Sequence, residues 1–569
     1  MMKMKITYIL LTAAVMMTAC SKKLDYSYDN RVVQQPMTAS AIRLVNLGGA
    51  TELSVGGKQL TSYMKPDPEG YYGPNETKGT FWFQESGRLG TTYTIPRELL
   101  KDGRADSILF SSLSFRNAVP PPRPFRAIDD DAHPNDYYFV RFRPNPDGFP
   151  DSLFVIPRGV SPAADPAGFK LRLLNLSSAA GNGVPDGFFR TGPMSVTLAD
   201  GTTVPGLSNI APGQYSDYVE LPYGTYQFKV LNAEGKEVSG SNSLYNVLNP
   251  ATGTLMDLLG TPGIGGYKDT WLTYAPVKTY QPGGIYTIVV ANTYEANIPT
   301  GNPNGETSKS ENNNVRIIAD ITEPVNTTYA RIQGVNAAAG KKIGWQVDAQ
   351  PLGGTLAFGK QTNYNRYITG THIVKALGED GKLLAESNID LQPADNLTAW
   401  LYTRKDGTSA IAMVANNLSG KFYGGTSTDN GTNGMFKDIY PFWIRFMNFC
   451  PDLDEVTFTQ DNGQLIRGAG QASQHLYPGK PATSEPYERM LVNFPYTILA
   501  YASAPGIAPG DWLRSVAPLK SRQFIARPEL YKTPELPQSE PGIYTVALIG
   551  STAPNATEKA RMIIVKHNN

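Results

Sequence analysis

The 569-residue chain carries 51 basic and 50 acidic side chains, a formal charge of +1, and only 18% of it is charged. Near-neutrality excludes the basic face that nucleic-acid binding requires and offers no electrostatic attraction to a membrane surface. The 55 glycines and 44 prolines leave little room for long helices, and two cysteines exclude a disulfide framework.

At the N-terminus, Lys3 and Lys5, the apolar stretch Ile6–Met17 and then Thr18-Ala19-Cys20 read as a secretory signal. The stretch is too short to cross a bilayer, which takes about 20 residues. It resembles a bacterial lipoprotein signal, which implies cleavage before Cys20 and acylation there, palmitate included; Met17 stands where Leu is usual. An ordinary signal peptide with an incidental Cys20 is the alternative. Several acyl chains anchor durably where one is marginal, so the membrane is a predicted partner through Cys20. Losing 1–19 removes Lys3, Lys5 and no acid, which takes the charge from +1 to −1. Cys450 then has no intrachain partner and is expected to be buried packing. Residues 20–38 are the acylated cysteine and a polar tether, which reaches roughly 60 Å if extended.

Strand signals follow, and they begin four times with nearly the same phrase. IRLVNL (42–47) opens a first, divergent β-sandwich over 39–160. Within it, Arg97–Asp102 after Pro96 is the one helical candidate, and Pro120–Pro124 with Asp129, Asp130 and Asp131 makes a long loop. LRLLNL (171–176) opens a second sandwich over 169–325, after the linker 157–168. Its strands include SVTLADGTTV (195–204), YVELPYGTYQFKVLNAEGK (218–236) and IYTIVVANTY (285–294), and 295–313 is predicted as a disordered loop inside its closing hairpin. ARIQGVN (330–336) opens a third over 326–416, where Gly334 pushes Asn336 later and predicts a bulge. After a polar linker over 417–437, IRFMNF (444–449) opens a fourth over 438–569.

The copies agree beyond their first words: GTYQFKVLNAEGK (224–236) aligns with GTHIVKALGEDGK (370–382), and GIYTIVVA (284–291) with GIYTVALI (542–549). The fold class predicted is all-β, a tandem array of about four immunoglobulin-like antiparallel β-sandwiches behind a lipoprotein signal. These phrases resemble the domain-of-unknown-function family numbered 4397, found as tandem immunoglobulin-like repeats in Bacteroidota-type lipoproteins. The likeness is best over 169–293 and weakest over 41–159. It implies an outer-membrane lipoprotein and carries no catalytic signature. The shared Arg is read as scaffold, its stem covering apolar surface while its head reaches water or a neighbouring carbonyl, and the shared Asn as shaping the turn beyond.

Catalytic constellations are sparse. His133, His372, His475 and His567 have no paired-ligand spacing, and His372 takes the place of Tyr226 in its sister repeat, which favours packing. GTLAFGKQ (354–361) nearly spells a phosphate loop, but Gln361 replaces the magnesium-binding Ser or Thr, so a turn is expected. Asp452, Asp454 and Glu455, like the run 129–131, suit calcium chemically but lack a binding frame. No cofactor, metal or enzymatic role is predicted. Tyr267, Trp271, Tyr274, Tyr280 and Trp512 lie in turn-rich segments and are platform candidates for a sugar face, with a core position the favoured alternative for Trp271; Tyr71 and Tyr72 join them. Trp82, Trp345, Trp400 and Trp443 suit a core. Asp-Ser-Ile and Asp-Ser-Leu resemble an O-glycosylation signal of the same bacterial group, at Ser107 and Ser152, unless both serines simply begin strands.

The first functional reading is a non-catalytic, lipid-anchored interaction or scaffold module of an outer-membrane or cell-surface protein assembly, on the cell surface rather than the periplasmic face. The alternative is a surface glycan-binding lipoprotein of a polysaccharide-uptake system, and an enzyme with an unrecognised site stands behind both. Loops 117–136, 261–282, 295–313 and 504–540, where the copies differ, are where function is expected.

Overall fold

The computed structural model describes residues 38–569 apart from 49, 51, 62–79, 84–88, 90–91, 112–122, 141–151, 179–189, 239–245, 249–254, 258–276, 300–306, 417, 419–441, 467–471, 484–485, 491–494, 531–538 and 541. The signal, Cys20, Tyr71, Tyr72, Tyr267, Trp271, Tyr274 and all of the 417–437 linker except Leu418 therefore lie outside the described residues.

Each repeated phrase forms an opening strand: Ala39–Asn46, Gly168–Leu176, Tyr329–Asn336 and Phe442–Asn448. All four are buried along nearly their whole length, as near-continuous apolar strands covered on both faces must be. On one side each pairs antiparallel, with Thr92–Pro96, Val219–Pro222, Asn365–Ile368 or Glu488–Arg489. On the other each pairs parallel, with Asn135–Val140, Ile285–Pro299, Asn396–Thr403 or Gly542–Ile549. These then pair antiparallel with the last strand of the copy, Ser152–Pro157, Thr307–Ala319, Ser409–Ala415 or Arg561–Lys566.

The closing hairpin is thus as expected, but a purely antiparallel sheet is not. Parallel neighbours need a crossover; in the first, third and fourth units the chain supplies it by building a second sheet between the two strands, and in the second unit by separate two-stranded pieces such as Met194–Thr197 with Lys229–Asn232. That second sheet runs Lys58–Gln59, Glu52–Val55, Arg104–Ser111, Phe125–Ile128 in the first unit and Gln464–Leu465, Val456–Gln460, Thr497–Ala504, Ile507–Trp512 in the fourth. The two sheets of a unit share one apolar cluster: Ile42, Leu44 and Phe139 meet Leu53, Ile108 and Phe110, and Phe446 and Tyr544 meet Phe458 and Ile498. The fold is all-β and sandwich-like.

Three expectations need correction. Arg331 to Asn336 pairs with Asn396 to Leu401 without a register shift, so there is no bulge at Gly334. Its glycine answers another need, since a Cβ there would stand 2.4 Å from the Trp345 ring. The 295–313 loop is mostly ladder, because pairing in the closing hairpin runs out to Pro299↔Thr307. The helical candidate is one 3-10 turn, Arg97–Leu99. The turn reading of 354–361 holds: Gly359, with φ +77°, donates its N–H to Asn336 and Leu356 pairs with Ile343.

The repeated Asn does shape the turn beyond its strand. Asn448 Nδ2 donates to the Leu453 and Leu476 carbonyls while Oδ1 accepts the Cys450 N–H. Asn175 and Asn336 do the same with Gly192, Ile210 and Ser177, and with Lys341, Leu356 and Ala338. Each Asn is fully buried, so a lost side chain strands three polar groups away from water. Asn448→Ala is expected to cost about 2–4 kcal/mol, read as a lower midpoint in chemical denaturation, with Asn448→Asp in between.

Candidate functional site

Register identifies which side chains are equivalent. Arg43, Arg172 and Arg445 stand opposite Asp136, Thr287 and Thr545 in the parallel pairs, and the third copy's residue at that level, opposite Thr398, is Gln333. Asn336 lies two residues further from Arg331 than Asn46 does from Arg43, which keeps Arg331 on the same face but displaces it along the strand. The four-Arg phrase is therefore three arginines and a glutamine.

All four heads reach out of their own unit. Arg43 Nη1 donates to the Ala319 carbonyl at 2.6 Å and Arg172 Nη1 to the Pro157 carbonyl at 2.7 Å, so the first and second units grip the ends of each other's last strands. Arg445 Nη1 bonds the Ala415 carbonyl of the third unit and, at 3.0 Å, Asn416 Oδ1. Gln333 returns the grip through Nε2 to Nδ1 of His567, 2.9 Å away and just beyond the fourth unit's last strand. The same exchange occurs in both pairs.

Between these contacts lie apolar joints. Val45, Leu47, Tyr138 and Val140 pack on Leu174, Leu176, Val289 and Ile318. Val335, Trp400 and Val414 pack on Met447, Phe449, Ile549 and Val565. Trp400 is buried, as expected, but between units, where it stacks on Phe449 with ring centres 4.7 Å apart. Trp345 alone of the four is buried inside its own sandwich, and Trp82 and Trp443 are half-buried.

The polar chemistry of the two joints differs. The first holds an ionic cluster: Arg43 pairs with Asp136 and Asp320, Arg158 lies 3.5 Å from Asp136, and Thr287 and Tyr218 donate to Asp320. The second is neutral apart from Arg445, because Thr398, Asn416 and His567 stand where the first has Asp136, Arg158 and Asp320. His567 Nδ1 accepts from Gln333, which leaves the ring proton on Nε2 to be donated to Thr545 Oγ1 at 2.8 Å. Burial, reinforced by Arg445, pushes this histidine well below its usual range, so it is neutral.

A third contact ties the second unit to the fourth. Lys229 and Glu540, both fully buried, form an ion pair. Lys566 donates to Gln227 Oε1 at 3.1 Å, and burial lowers its ammonium to about 8. Asn569 pairs by backbone with Thr225 and Gln227. Arg331 joins this side too, with Nη2 3.1 Å from Thr225 Oγ1 and its guanidinium 5.2 Å from the Tyr223 and Tyr364 rings.

The remaining candidates are scattered. Tyr280 is no platform: it is wholly buried, stacked on Phe169 at 4.8 Å, because its strand pairs with Gly224–Tyr226 inside the second core. Trp512 is 47% exposed on the edge strand of the fourth unit. Ser107 and Ser152 are both half-buried; Ser152 begins its strand, as one reading expects, whereas Ser107 lies inside Arg104–Ser111. Cys450 is buried, its thiol raised by desolvation and bonded to the Gly550 carbonyl. Asp129 and Asp131 bind Arg97, Asp454 binds Lys405 and Asp452 binds Thr552, so these acids are separately partnered. His372 bonds Asp348 and the Ile368 carbonyl, with its ring edge-on to Tyr367. Among the described residues no three His, Cys, Asp or Glu side chains gather as a metal site, and no helix is long and apolar enough to cross a membrane.

No family model matches the chain, and no curated protein does. Among solved structures it is similar to a leucine-rich repeat protein from Bacteroides thetaiotaomicron at 11% identity and TM-score 0.10, covering 41% of this chain and 26% of that one. The chain thus spans about a quarter of that protein's length. The Bacillus anthracis TIE protein follows at 9% identity and TM-score 0.10 over 85% of this chain and 71% of that one. The major pilin subunit of Bacillus cereus shows 9% identity and TM-score 0.09 over 58% and 88%.

Two predictions concern the joints. Glu540→Gln removes the carboxylate bonded to buried Lys229, although Glu237 still offsets part of that charge, and should cost about 3 kcal/mol in chemical denaturation, whereas Lys229→Met with Glu540→Leu should cost less. His567 binds its proton less readily folded than unfolded, so the stability it contributes is present above about pH 6.5 and is lost as pH falls below that value. Thermal midpoints from pH 8 to pH 5 should fall more steeply for the native chain than for His567→Gln.

Proposed function

We propose that the chain is a non-catalytic, outer-membrane lipoprotein, acylated at Cys20, whose four immunoglobulin-like sandwiches act as one interaction or scaffold body at the cell surface. The observation that carries this reading is where the polar side chains go. The repeated Arg and Asn residues, the polar groups most conspicuous in the sequence, and Gln333 with them, are spent on turns and on joints between units rather than gathered at a cleft. Such a body presents fixed outer faces and loops to a partner protein.

A second reading, a glycan-binding surface lipoprotein, is favoured by one observation: Trp512 remains about half exposed whereas Trp345 and Trp400 are buried. Purification of the full chain in mild detergent tests the first reading. A stoichiometric envelope protein should co-purify, and Cys20→Ala should move the chain from the membrane pellet to the soluble fraction. A chain that purifies alone and is soluble with Cys20 intact contradicts it.

A further inference from the structure

The second sheet of the fourth unit carries two aromatic side chains, Tyr501 and Trp512, side by side on adjacent strands. Trp512 is paired in register with Tyr501, and Tyr501 with Thr457, so the three lie in one row across adjacent strands. At a strand spacing of about 4.8 Å the row is roughly 10 Å long. Glu455 and Ser503 continue the same face, two residues along from Thr457 and Tyr501. Ser503 bonds Thr457 through their hydroxyls at 2.8 Å, and its N–H donates to the Glu455 carbonyl.

The carboxylate of Glu455 is only 4% exposed, yet its partners lead outward. His475 Nδ1 lies 2.8 Å from it, on a residue held at φ +50°, a backbone conformation that costs energy for a side chain of this size. Tyr477, 49% exposed, lies near the same carboxylate, whose charge raises its phenol. At the other end of the row the Arg514 guanidinium stands 5.8 Å from the Trp512 ring. The partly exposed Trp512 and Tyr501 rings, the half-buried Ser503 and a buried carboxylate that orients an imidazole are thus set side by side, with Thr457 buried beneath them.

We propose that this face binds an oligosaccharide, with one pyranose ring stacked on Trp512 and the hydroxyls of the next reaching the Glu455–His475–Tyr477 cluster. The proposal rests on the glycan reading above and locates it. A sugar presents an apolar ring face together with a rim of hydroxyls, the complement of this row. Interfaces with proteins are likewise rich in Tyr, Trp and Arg; what favours a ligand dense in hydroxyls here is the Glu455–His475 pair set beside the row.

Native gels cast with starch, xylan, galactomannan or laminarin test it on the full chain. At least one polysaccharide should retard the native protein, and Trp512→Ala and Glu455→Gln should each weaken that retention about tenfold, equivalent to about 1.4 kcal/mol. Denaturation midpoints read alongside separate lost binding from lost folding, and His475→Ala supplies a third variant should either of the others unfold. Retention unchanged in folded variants overturns the placement while leaving glycan binding in force. Loss of a co-purifying protein in Trp512→Ala, with retention kept, assigns the face to a protein contact and overturns the proposal. No retention of the native chain on any of the four overturns both the placement and the glycan reading.

Discussion

The structure depends on one repeated contact: a polar side chain near the middle of each opening strand bonds the end of the last strand of a neighbouring unit. Arg43 and Arg172 make it reciprocally in one pair, and Arg445 and Gln333 in the other. Because the opening strand has the sandwich core on one face and the neighbour on the other, its apolar run has no solvent side. The repeat is therefore a rule for joining units as much as for folding each one.

The energetic roles divide. Burying a Leu or Val side chain contributes about 1.5–3 kcal/mol, and each joint buries a set of them. Taking a charge out of water costs several kcal/mol before its partner recovers it. Apolar contact thus supplies the adhesion, and the buried guanidinium, carboxylate and amide groups fix which strand ends meet, since any other alignment leaves them unpaired. The two pairs solve that problem differently, one with an ionic cluster and the other with a neutral histidine.

Much of the scaffold was legible in the residues. The phrase and its apolar neighbours mark the opening strands, and the Asn contacts follow from its place at the strand end. The reach of Arg to a carbonyl was also legible, but not that the carbonyl belongs to another unit, because sequence spacing carries no record of contacts such as Arg43 to Ala319. Likewise Gln333 was hidden by a nearer arginine, and only pairing with Thr398 shows the equivalence. Tyr280 was misplaced because turn-rich neighbours suggested exposure, while its strand pairs inside a core. Trp512 and Glu455 were each visible as residues, but their common face depends on three strands brought together by register.

Hydrogen exchange read by mass spectrometry on the full chain carrying Arg445→Ala tests the joint most directly. Removing this guanidinium should raise exchange together in Ser409–Ala415 of the third unit and Phe442–Asn448 of the fourth, and leave Ala39–Asn46 and Gly168–Leu176 as they were. Faster exchange confined to Phe442–Asn448, with Ser409–Ala415 unchanged, would mean that the arginine serves only its own unit and would contradict the account.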